Sequence, residues 1–335
     1  MTASTEPQLG GAGTSWRGAM AAVHWFRKGL RLHDNPALLA AAAGSKQLLP
    51  VFVLDPHFLK PERCGANRVK FLLECLTDLD GSLRRLGSRL LVLRGSPEEV
   101  LLEFMAERGA ALLTFETHEE PHARARDAAV RGAAEKRRIR VEQHCSDTLW
   151  EPAQLLAKNG GQPPKTYTTM LKMAAAAGPP PAPLAPPASL PSVGAALLAD
   201  SRYDVPTLAQ LGYDPAEAQA VIAGGETEGL RRLDAYLADA KRAATFEKPK
   251  TNPTHLQPST TALSPHLTAG AVSARTFYHR VAAVVRQYKG SKSSPPVSLE
   301  GQILWREHWL LIASNTPGKT PNTPFLEKDS ISIGK

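Results

Sequence analysis

Short apolar runs alternate with amphipathic stretches from residue 21 to residue 150. The pattern predicts buried strands at 23–26 and 48–54, and further strands at 90–93, 112–115 and 139–143. Helical spacing of apolar residues is clearest at 68–86, where leucines recur at intervals of three and four positions. Strands that are apolar throughout, each separated from the next by a helix, predict a parallel sheet covered on both faces.

Helix caps and the loops after the strands indicate where a ligand should bind in residues 21–150. Asn35 is predicted to cap the first helix, with Pro36 at its first position and Gly44 at its end. Further helices are predicted at 97–108 and 124–138. Ligands of parallel sheets bind beyond the carboxyl ends of the strands, so the loops 27–35, 55–63 and 116–122 should border a site. No GxGxxG motif follows the first strand, so a dinucleotide-dependent dehydrogenase is not indicated.

The second half has a different pattern, without strand signals. Residues 178–191, GPPPAPLAPPASLP, cannot form a helix or a sheet and are predicted to be a solvated linker. Beyond it, residues 207–246 are predicted to be mostly helical, 248–258 to be a loop, and 272–288 and 299–313 to be helices. We therefore expect a disordered tail at 1–20, an α/β domain at 21–150, a Pro-rich linker at 151–205 and an all-α unit at 206–315.

Composition narrows the class of protein only slightly. The net charge of +8 allows an acidic partner such as DNA, although solvated lysines would give the same sum. The three cysteines, without a CxxC pair, are typical of reduced thiols in an intracellular protein. The sequence has no run of eighteen apolar residues, so a membrane span is not indicated. We expect a location in the nucleus or cytoplasm, with a chloroplast transit peptide as the alternative for residues 1–20.

Hydroxyl side chains cluster in a turn before helical sequence in the second half. Thr260, Thr261 and Ser264 are of the type that binds a phosphate at a helix start, and Lys248 and Lys250 would add positive charge. The alternative is that these hydroxyls are ordinary helix caps.

Four side chains share one face of the predicted helix at 299–313. Gln302, Trp305, Arg306 and Trp309 follow at i, i+3, i+4 and i+7, and could hold a planar aromatic ligand and its phosphates. The alternative is a core helix with a buried ion pair. The cluster His118, Glu119, Glu120 and His122 lacks the ligand spacing of a standard zinc site, so no metal is predicted.

Four segments together resemble the photolyase/cryptochrome flavoproteins. They are HWFRKGLRLHDNPAL at 24–38, LLPVFVLDP at 48–56, FEKPK–NP–PSTTALSPHL from 246 and GQILWREHW at 301–309. The sequences of these segments are most similar to those of the animal cryptochrome and (6-4) photolyase branch. The resemblance implies a five-stranded, Rossmann-like antenna domain followed by a partial all-α domain that holds FAD.

The resemblance also assigns site residues. Its flavin-binding positions fall on Phe246, Lys248, Thr260, Thr261, Leu263, Ser264, Gln302 and Arg306. Trp305 corresponds to a position that lies against the flipped-out lesion in DNA-repairing relatives, where an indole suits a displaced base. An antenna pocket for a deazaflavin or a folate would use Lys28, Phe52, Asp55 and His118, the last of which is often acidic in relatives.

The chain also departs from the pattern of the family. SPHLTAG stands where relatives usually have an aromatic residue and then Lys-Phe-Gly, and the resemblance ends after Pro317, with residues 316–335 expected to be a non-family tail. The resemblance implies a blue-light photoreceptor or a light-dependent (6-4) photolyase, a carbon–carbon lyase, with DNA and light- or clock-signalling proteins as partners. We expect this chain to be truncated within the flavin domain, with little repair activity. The alternatives are a nucleotide-binding α/β module with an unrelated helical extension, and a regulatory fragment that competes for partners.

Overall fold

The computed structural model describes residues 19–60, 62–118, 120–248 and 260–315. Five parallel strands form one sheet in the order β3-β2-β1-β4-β5. The strands are β1 (Ala19–Phe26), β2 (Ser45–Leu54), β3 (Leu91–Arg94), β4 (Ala110–Glu116) and β5 (Arg140–His144). The helices that separate them are α1 (Pro36–Gly44), α2 (Ala66–Arg85), α3 (Pro97–Arg108) and α4 (Pro121–Lys136). The predicted parallel α/β sheet is confirmed.

Both faces of the sheet are buried at its central strands, which explains why these strands are mostly apolar, whereas the edge strand β5 (RVEQH) is partly exposed. In β1, Phe26 packs into the core on the side of α2, whereas Trp25 packs into the core on the opposite side with α3. β1 lies at the centre, and its Val23 pairs with Leu49 of β2 and with Leu113 of β4. Because neighbouring residues of a strand point to opposite faces, a strand between two cores needs apolar residues at every position.

Local signals set the start of the first helix as predicted. The side chain of Asn35 accepts a hydrogen bond from the backbone N–H of Leu38 at 2.9 Å, and Pro36 is the first residue of α1. This bond satisfies one of the free N–H groups that every helix start leaves. Gly44 is the last residue of α1, so the chain turns directly into β2.

In the residues that the structure describes, the second half of the chain contains helices joined by irregular segments and no strand. Its longer helices are α8 (Glu226–Leu237), α11 (Ala274–Gln287) and α12 (Leu299–Ser314), and its short ones are α9 (Ala240–Ala244) and α10 (Ser264–Ala269). They enclose a third core, to which Leu233, Phe277 and Leu311 contribute. In the described part of the chain, no helix is long and apolar enough to cross a membrane.

The range 151–205 is not a linker throughout, and this part of the prediction is wrong. It contains α5 (Pro152–Ala157), α6 (Tyr167–Ala177) and α7 (Ala195–Leu198). Met170 and Met173 of α6 are buried in the helical core, and Leu197 of α7 is buried against the sheet. These helices are short and have few apolar positions, so their pattern is weak beside the prolines. The predicted segment 178–191 itself contains no helix or strand, as expected.

The first part of the range 207–246 is extended rather than helical, which corrects another prediction. Two short 3-10 turns, Ala209–Leu211 and Pro215–Glu217, precede a strap at 218–225 that runs along α2 and leads into α8. Side chains of α2 accept hydrogen bonds from backbone N–H groups of this strap and of the start of α8: Asn67 from Ala220 at 2.8 Å, Glu74 from Gly224 at 2.7 Å and Asp78 from Thr227 at 3.0 Å. Because α2 satisfies these donors, the strap needs no helix of its own.

Candidate functional site

The loop at 27–35 leaves the carboxyl end of β1 and joins the two halves of the protein. Arg31 is fully buried in it and donates to the backbone oxygen of Gly270 at 2.8 Å and to Glu116 at 3.2 Å. Gly270 ends α10 with φ of +66°, and a side chain there would lie 2.1 Å from the backbone nitrogen of Gly29. The loop and α10 can therefore approach only because Gly270 has no side chain.

A second contact of this loop centres on Glu226 at the start of α8. Its carboxylate accepts from the backbone N–H groups of Leu32, at 2.7 Å, and of His33, at 3.1 Å. His33 Nδ1 lies 2.5 Å from the same carboxylate, and His33 Nε2 accepts from the N–H of Ser273 at 3.2 Å. Burial acts to raise the pKa of Glu226, but the hydrogen bond and charge of His33 and the two amides outweigh it, and the pKa is lowered.

The third contact is an ion pair between Asp34 and Arg275 of α11. Arg275 donates from Nε to Asp34 Oδ2 at 3.0 Å and from its terminal nitrogen to Oδ1 at 2.8 Å. Ser273 also donates to Asp34, and the backbone N–H of Leu184 donates to Oδ1 at 3.0 Å. The predicted solvated linker is therefore held at Leu184, although most of its side chains are exposed.

A cavity of about 950 Å³ opens at the carboxyl ends of β1, β2 and β4. All four residues assigned to an antenna pocket, Lys28, Phe52, Asp55 and His118, line it. The wall is mainly apolar and includes Phe26, Leu54 and Phe71, while Ser264 of α10 and Ala220 of the strap border it from the helical half. The volume and mixed lining are typical of a site for a drug-sized organic ligand.

Charged groups around the cavity have strongly shifted pKa values. Burial raises the pKa of Glu116, at the end of β4, to about 7, although the charge of Arg31 opposes this. Burial and the charge of Lys28 lower the pKa of His118 to about 4. For Asp147, burial favours a higher pKa, but Arg306, Lys28 and His118 together lower it to about 2. The cavity therefore presents a neutral imidazole beside an ionised carboxylate at neutral pH.

Three of the residues assigned to flavin binding contact one segment of the helical half. Phe246 is buried in the helical core, and its backbone oxygen accepts from Ser293 at 2.6 Å. The backbone N–H of Lys248 donates to Val297 at 3.0 Å, and Gln302 donates to the backbone oxygen of Pro296 at 3.0 Å. These three residues thus border the segment 293–297.

The turn before α10 contributes the remaining flavin candidates. Leu263 is fully buried in the helical core, so its side chain packs rather than faces a ligand. Ser264 is exposed at the first position of α10 and borders the sheet-end cavity, and Thr260 and Thr261 are half-buried before it. Lys250 lies outside the described residues.

The predicted face of α12 contains an ion pair and an aromatic stack. Arg306 donates to the backbone oxygen of Asp147 at 2.6 Å and forms an ion pair with its carboxylate. Trp305 stacks on Tyr167 with ring centroids 4.0 Å apart, and Trp309, 41% exposed, lies beyond it at 6.5 Å. The alternative of a helix with a buried ion pair therefore describes Arg306, while Trp309 extends the aromatic stack of Trp305 and Tyr167.

Sequence reasoning missed several of the residues that hold the site together. They are Asp147, Glu226, Arg275 and Glu307. Glu307 is buried in α12 and accepts from the backbone N–H groups of Leu149, at 3.0 Å, and Trp150, at 3.4 Å. The polar group Arg-Glu-His inside the otherwise apolar run ILWREHWLLIA was the available signal for Glu307. In the ranges that the structure describes, no group of three or more His, Cys, Asp or Glu residues could hold a metal ion.

Known proteins share this arrangement of domains. A family model described as DNA photolyase matches residues 22–188. The (6-4)DNA photolyase of Oryza sativa subsp. japonica is 44% identical over 321 residues, and Cryptochrome-1 of Mus musculus is 41% identical over 309 residues. These alignments cover 89% and 88% of this chain, but 57% and 50% of the two relatives. The chain thus spans roughly half the length of the curated relatives that it matches.

Solved structures agree with the sequence matches. A bacterial class III photolyase from Agrobacterium tumefaciens has a TM-score of 0.72 at 26% identity, over 91% of this chain and 61% of that one. A Synechocystis sp. PCC6803 cryptochrome has the same TM-score at 22% identity and supports the fold alone. The sheet, the joint and the helical unit define a two-domain protein of the photolyase type. The chain belongs to the photolyase/cryptochrome family.

The length of these matches also excludes one of the alternative interpretations of the chain. The alignments run through both halves of the chain, so the helical half is not an unrelated extension of a nucleotide-binding module. The resemblance found in the four sequence segments is confirmed.

Proposed function

We propose that this chain supplies the antenna domain and part of the FAD-binding domain of a light-driven (6-4) photolyase or a cryptochrome. The observation that carries the proposal is the joint at 27–35, where Arg31, His33 and Asp34 bind α8, α10 and α11. This joint sets the helical half against the sheet-end cavity. Family membership and the names of the relatives support the same activity.

The described residues fit one part of FAD, its phosphates. Thr260, Thr261 and Ser264 offer hydroxyls before α10, and such groups suit an anion. Gln302 and Arg306 fit less directly, because Gln302 is bonded to Pro296 and Arg306 to Asp147. We infer that the turn at 260–264 binds the phosphates of FAD. Arg306 acts indirectly, because it positions Asp147.

FAD would supply the chemistry, which is the donation of an electron after light excitation. This chain's share is to bind the cofactor, to orient it and to exclude water. Burial of the Glu307 carboxylate under Leu149 and Trp150 keeps α12 fixed against the end of the α/β domain. A flavin held by α12 and the turn at 260–264 would therefore keep a fixed position relative to the sheet-end cavity.

That cavity is the proposed place for a second, light-harvesting chromophore. Lys28, Phe52, Asp55 and His118 lie together there, as the resemblance implies. A planar pigment such as a deazaflavin or a folate matches the aromatic wall and the volume of about 950 Å³.

DNA is the proposed macromolecular partner, with proteins of light or clock signalling as the alternative for a cryptochrome. The net charge of +8 favours phosphate contacts, and these supply affinity without sequence or lesion preference. Trp305, assigned to lesion stacking, is covered on one face by Tyr167. We infer that the chain by itself binds DNA weakly.

A fusion protein tests the proposal. It joins residues 1–315 to the part of the rice (6-4)DNA photolyase that follows the matched region. We expect the fusion to purify with bound FAD, whereas equilibrium dialysis of the 335-residue chain should give an FAD affinity weaker than micromolar, because the described residues enclose only part of the ligand. A fusion that folds but binds no FAD would overturn the proposal.

A further inference from the structure

The proline segment at 179–187, PPPAPLAPP, has little conformational freedom. A proline ring fixes φ near about −65°, and a residue that precedes a proline is confined to extended conformations. All peptide bonds of the segment are trans, no residue in it has a positive φ, and its backbone groups form no hydrogen bonds with one another. These are the features of a polyproline II helix, which has no internal hydrogen bonds.

Both domains hold the backbone of the proline segment in place. His279 of α11 donates from Nε2 to the backbone oxygens of Pro180 and Pro181, each at 3.0 Å. The backbone N–H of Asp34 donates to the backbone oxygen of Leu184 at 2.9 Å, and Asp34 Oδ1 accepts from the N–H of Leu184 at 3.0 Å. A segment that is already ordered loses little conformational entropy when it binds a partner.

The middle of the proline segment presents a repeated dipeptide to solvent. A polyproline II helix has three residues per turn, so Ala182-Pro183 and Ala185-Pro186 lie on the same side of it. Three of these four residues are exposed, and Pro183 is half-buried. In the described part of the chain, none of their four backbone oxygens accepts a hydrogen bond. The dipeptide one turn earlier ends in Pro180, which is buried and cannot contribute.

A positive charge flanks the exposed dipeptides. Pro186 and Pro187 border a surface groove that Arg85, at the end of α2, also lines. Arg85 is exposed and donates to the neutral hydroxyl of Ser82 at 2.8 Å, and it forms no ion pair within the residues that the structure describes. The groove therefore favours an acidic side chain on a partner. Its other charged residues are already bonded, Glu226 to His33, Asp234 to Arg280 and Arg231 to Glu228.

We propose that the proline segment docks into a protein module whose groove is lined by aromatic side chains and has an acidic rim, as in modules of the SH3 type. Aromatic rings of the partner form two pockets, one for Ala182-Pro183 and one for Ala185-Pro186. Donors of the groove bind the backbone oxygens of these dipeptides, and the acidic rim contacts Arg85. This surface shares no residue with the sheet-end cavity or the turn at 260–264, so the proposal goes beyond the proposed function.

Titration of purified SH3 domains tests the proposal. Each member of a panel of labelled SH3 domains is titrated, by fluorescence anisotropy, with the 335-residue chain and with a synthetic peptide of residues 178–191. We expect at least one domain to bind both, and to bind the chain at least as tightly as the peptide, because the chain already orders the segment. A panel that binds neither at millimolar concentration would overturn the proposal, as would tighter binding of the peptide than of the chain.

Paired proline variants locate the contact. Pro183→Ala/Pro186→Ala removes the proline of each exposed dipeptide, so we expect the affinity of the best-binding domain to fall about tenfold or more. Pro179→Ala/Pro181→Ala removes two exposed prolines outside the dipeptides and keeps the oxygen that binds His279, so it should change the affinity less than about threefold. Equal losses in the two double variants would overturn the role of the dipeptides. Far-UV circular dichroism checks that each variant folds.

A charge variant tests the acidic rim of the partner. Arg85→Glu reverses the flanking charge, so we expect it to bind more weakly than wild type at low salt. Added salt should weaken the binding of wild type but not that of Arg85→Glu, because salt screens attraction and repulsion alike. Arg94→Glu, at an exposed arginine that ends β3, is the matched control and should keep the salt dependence of wild type. If Arg85→Glu binds as tightly as wild type at low and at high salt, the partner has no acidic rim and this part of the proposal is wrong.

Discussion

Arg275 of α11 forms a two-point ion pair with Asp34, a fully buried residue that precedes α1 in the α/β half. The two residues are 241 positions apart in the sequence. Only 12% of the Arg275 side chain and none of the Asp34 side chain is exposed. The segment HWFRKGLRLHDNPAL is therefore a joint between the two domains as well as a border of the binding region.

Removal of this ion pair should destabilise the protein strongly. Arg275→Ala leaves the Asp34 carboxylate buried without its cation, and loss of one partner from a buried pair costs about 3–5 kcal/mol of unfolding free energy. Arg280→Ala is the control on the same helix, because its pair with Asp234 is 41% and 66% exposed and should contribute less than about 1 kcal/mol. Urea unfolding of both variants measures the difference, and equal losses would contradict the joint.

Glu307 should make the stability of the protein depend on pH. Burial raises its pKa from 4.5 to about 7, against the effect of the Leu149 and Trp150 amides. The folded state therefore holds this proton more tightly, so the stabilisation is complete below pH 4.5 and is lost as the pH rises to about 7. Glu307→Gln should gain stability relative to wild type as the pH rises over this range.

Urea unfolding at several pH values from 5 to 8 checks the Glu307 prediction. The pKa of Glu116 is also raised, and Glu116 is present in both proteins. The stability of the variant should therefore still fall as the pH rises, but less steeply than that of wild type. Glu103→Gln, at an exposed site on α3, is the matched control and should follow the wild-type curve. If the stabilities of Glu307→Gln and wild type change with pH in parallel, the Glu307 carboxyl is not buried with a raised pKa.

The connector from 193 to 204 should be part of the sheet domain. Leu197 is 4% exposed in the core beside the sheet, and buried Arg89 donates to its backbone oxygen at 3.1 Å. Leu197→Ala should cost about 2–5 kcal/mol, because it leaves a cavity in a packed core. Leu184→Ala, at a connector site 42% exposed, should change stability by less than about 0.5 kcal/mol. Similar effects in denaturant would mean that the connector is not packed on the sheet.

Some of these structural features could be predicted from the sequence, and others could not. Apolar runs predicted the first four strands, the fifth (RVEQH) was predicted although it is mostly polar, and the Asn35 cap was visible because it is a local signal. Helical spacing placed Trp305 and Arg306 on one face, but it could not supply their partners, Tyr167 and Asp147, since such contacts depend on the chain path between distant elements. For the same reason the loop at 27–35 was expected at the binding region, whereas its bonds to Glu226 and Arg275 were not.

DNA binding by the 335-residue chain should be weak and insensitive to damage. Tyr167 covers one face of Trp305, so an extruded base cannot stack there without displacing it, while positive charge still attracts phosphates. Competition between a duplex with a (6-4) lesion and an intact duplex, at two salt concentrations, measures this. We expect one salt-sensitive affinity for both duplexes, and preference for the lesion would contradict the claim that Tyr167 blocks Trp305.

The flavin content of the fusion with the rice remainder tests the central claim, that the turn at 260–264 of this chain holds FAD. We predict about one FAD per chain in the unaltered fusion, and its loss in the double variant Thr260→Ala/Ser264→Ala, because the variant lacks hydroxyls that bind phosphate. The exposed double variant Ser201→Ala/Thr207→Ala should retain FAD. A fusion that folds without flavin, or one that keeps FAD after loss of both hydroxyls, would contradict the account.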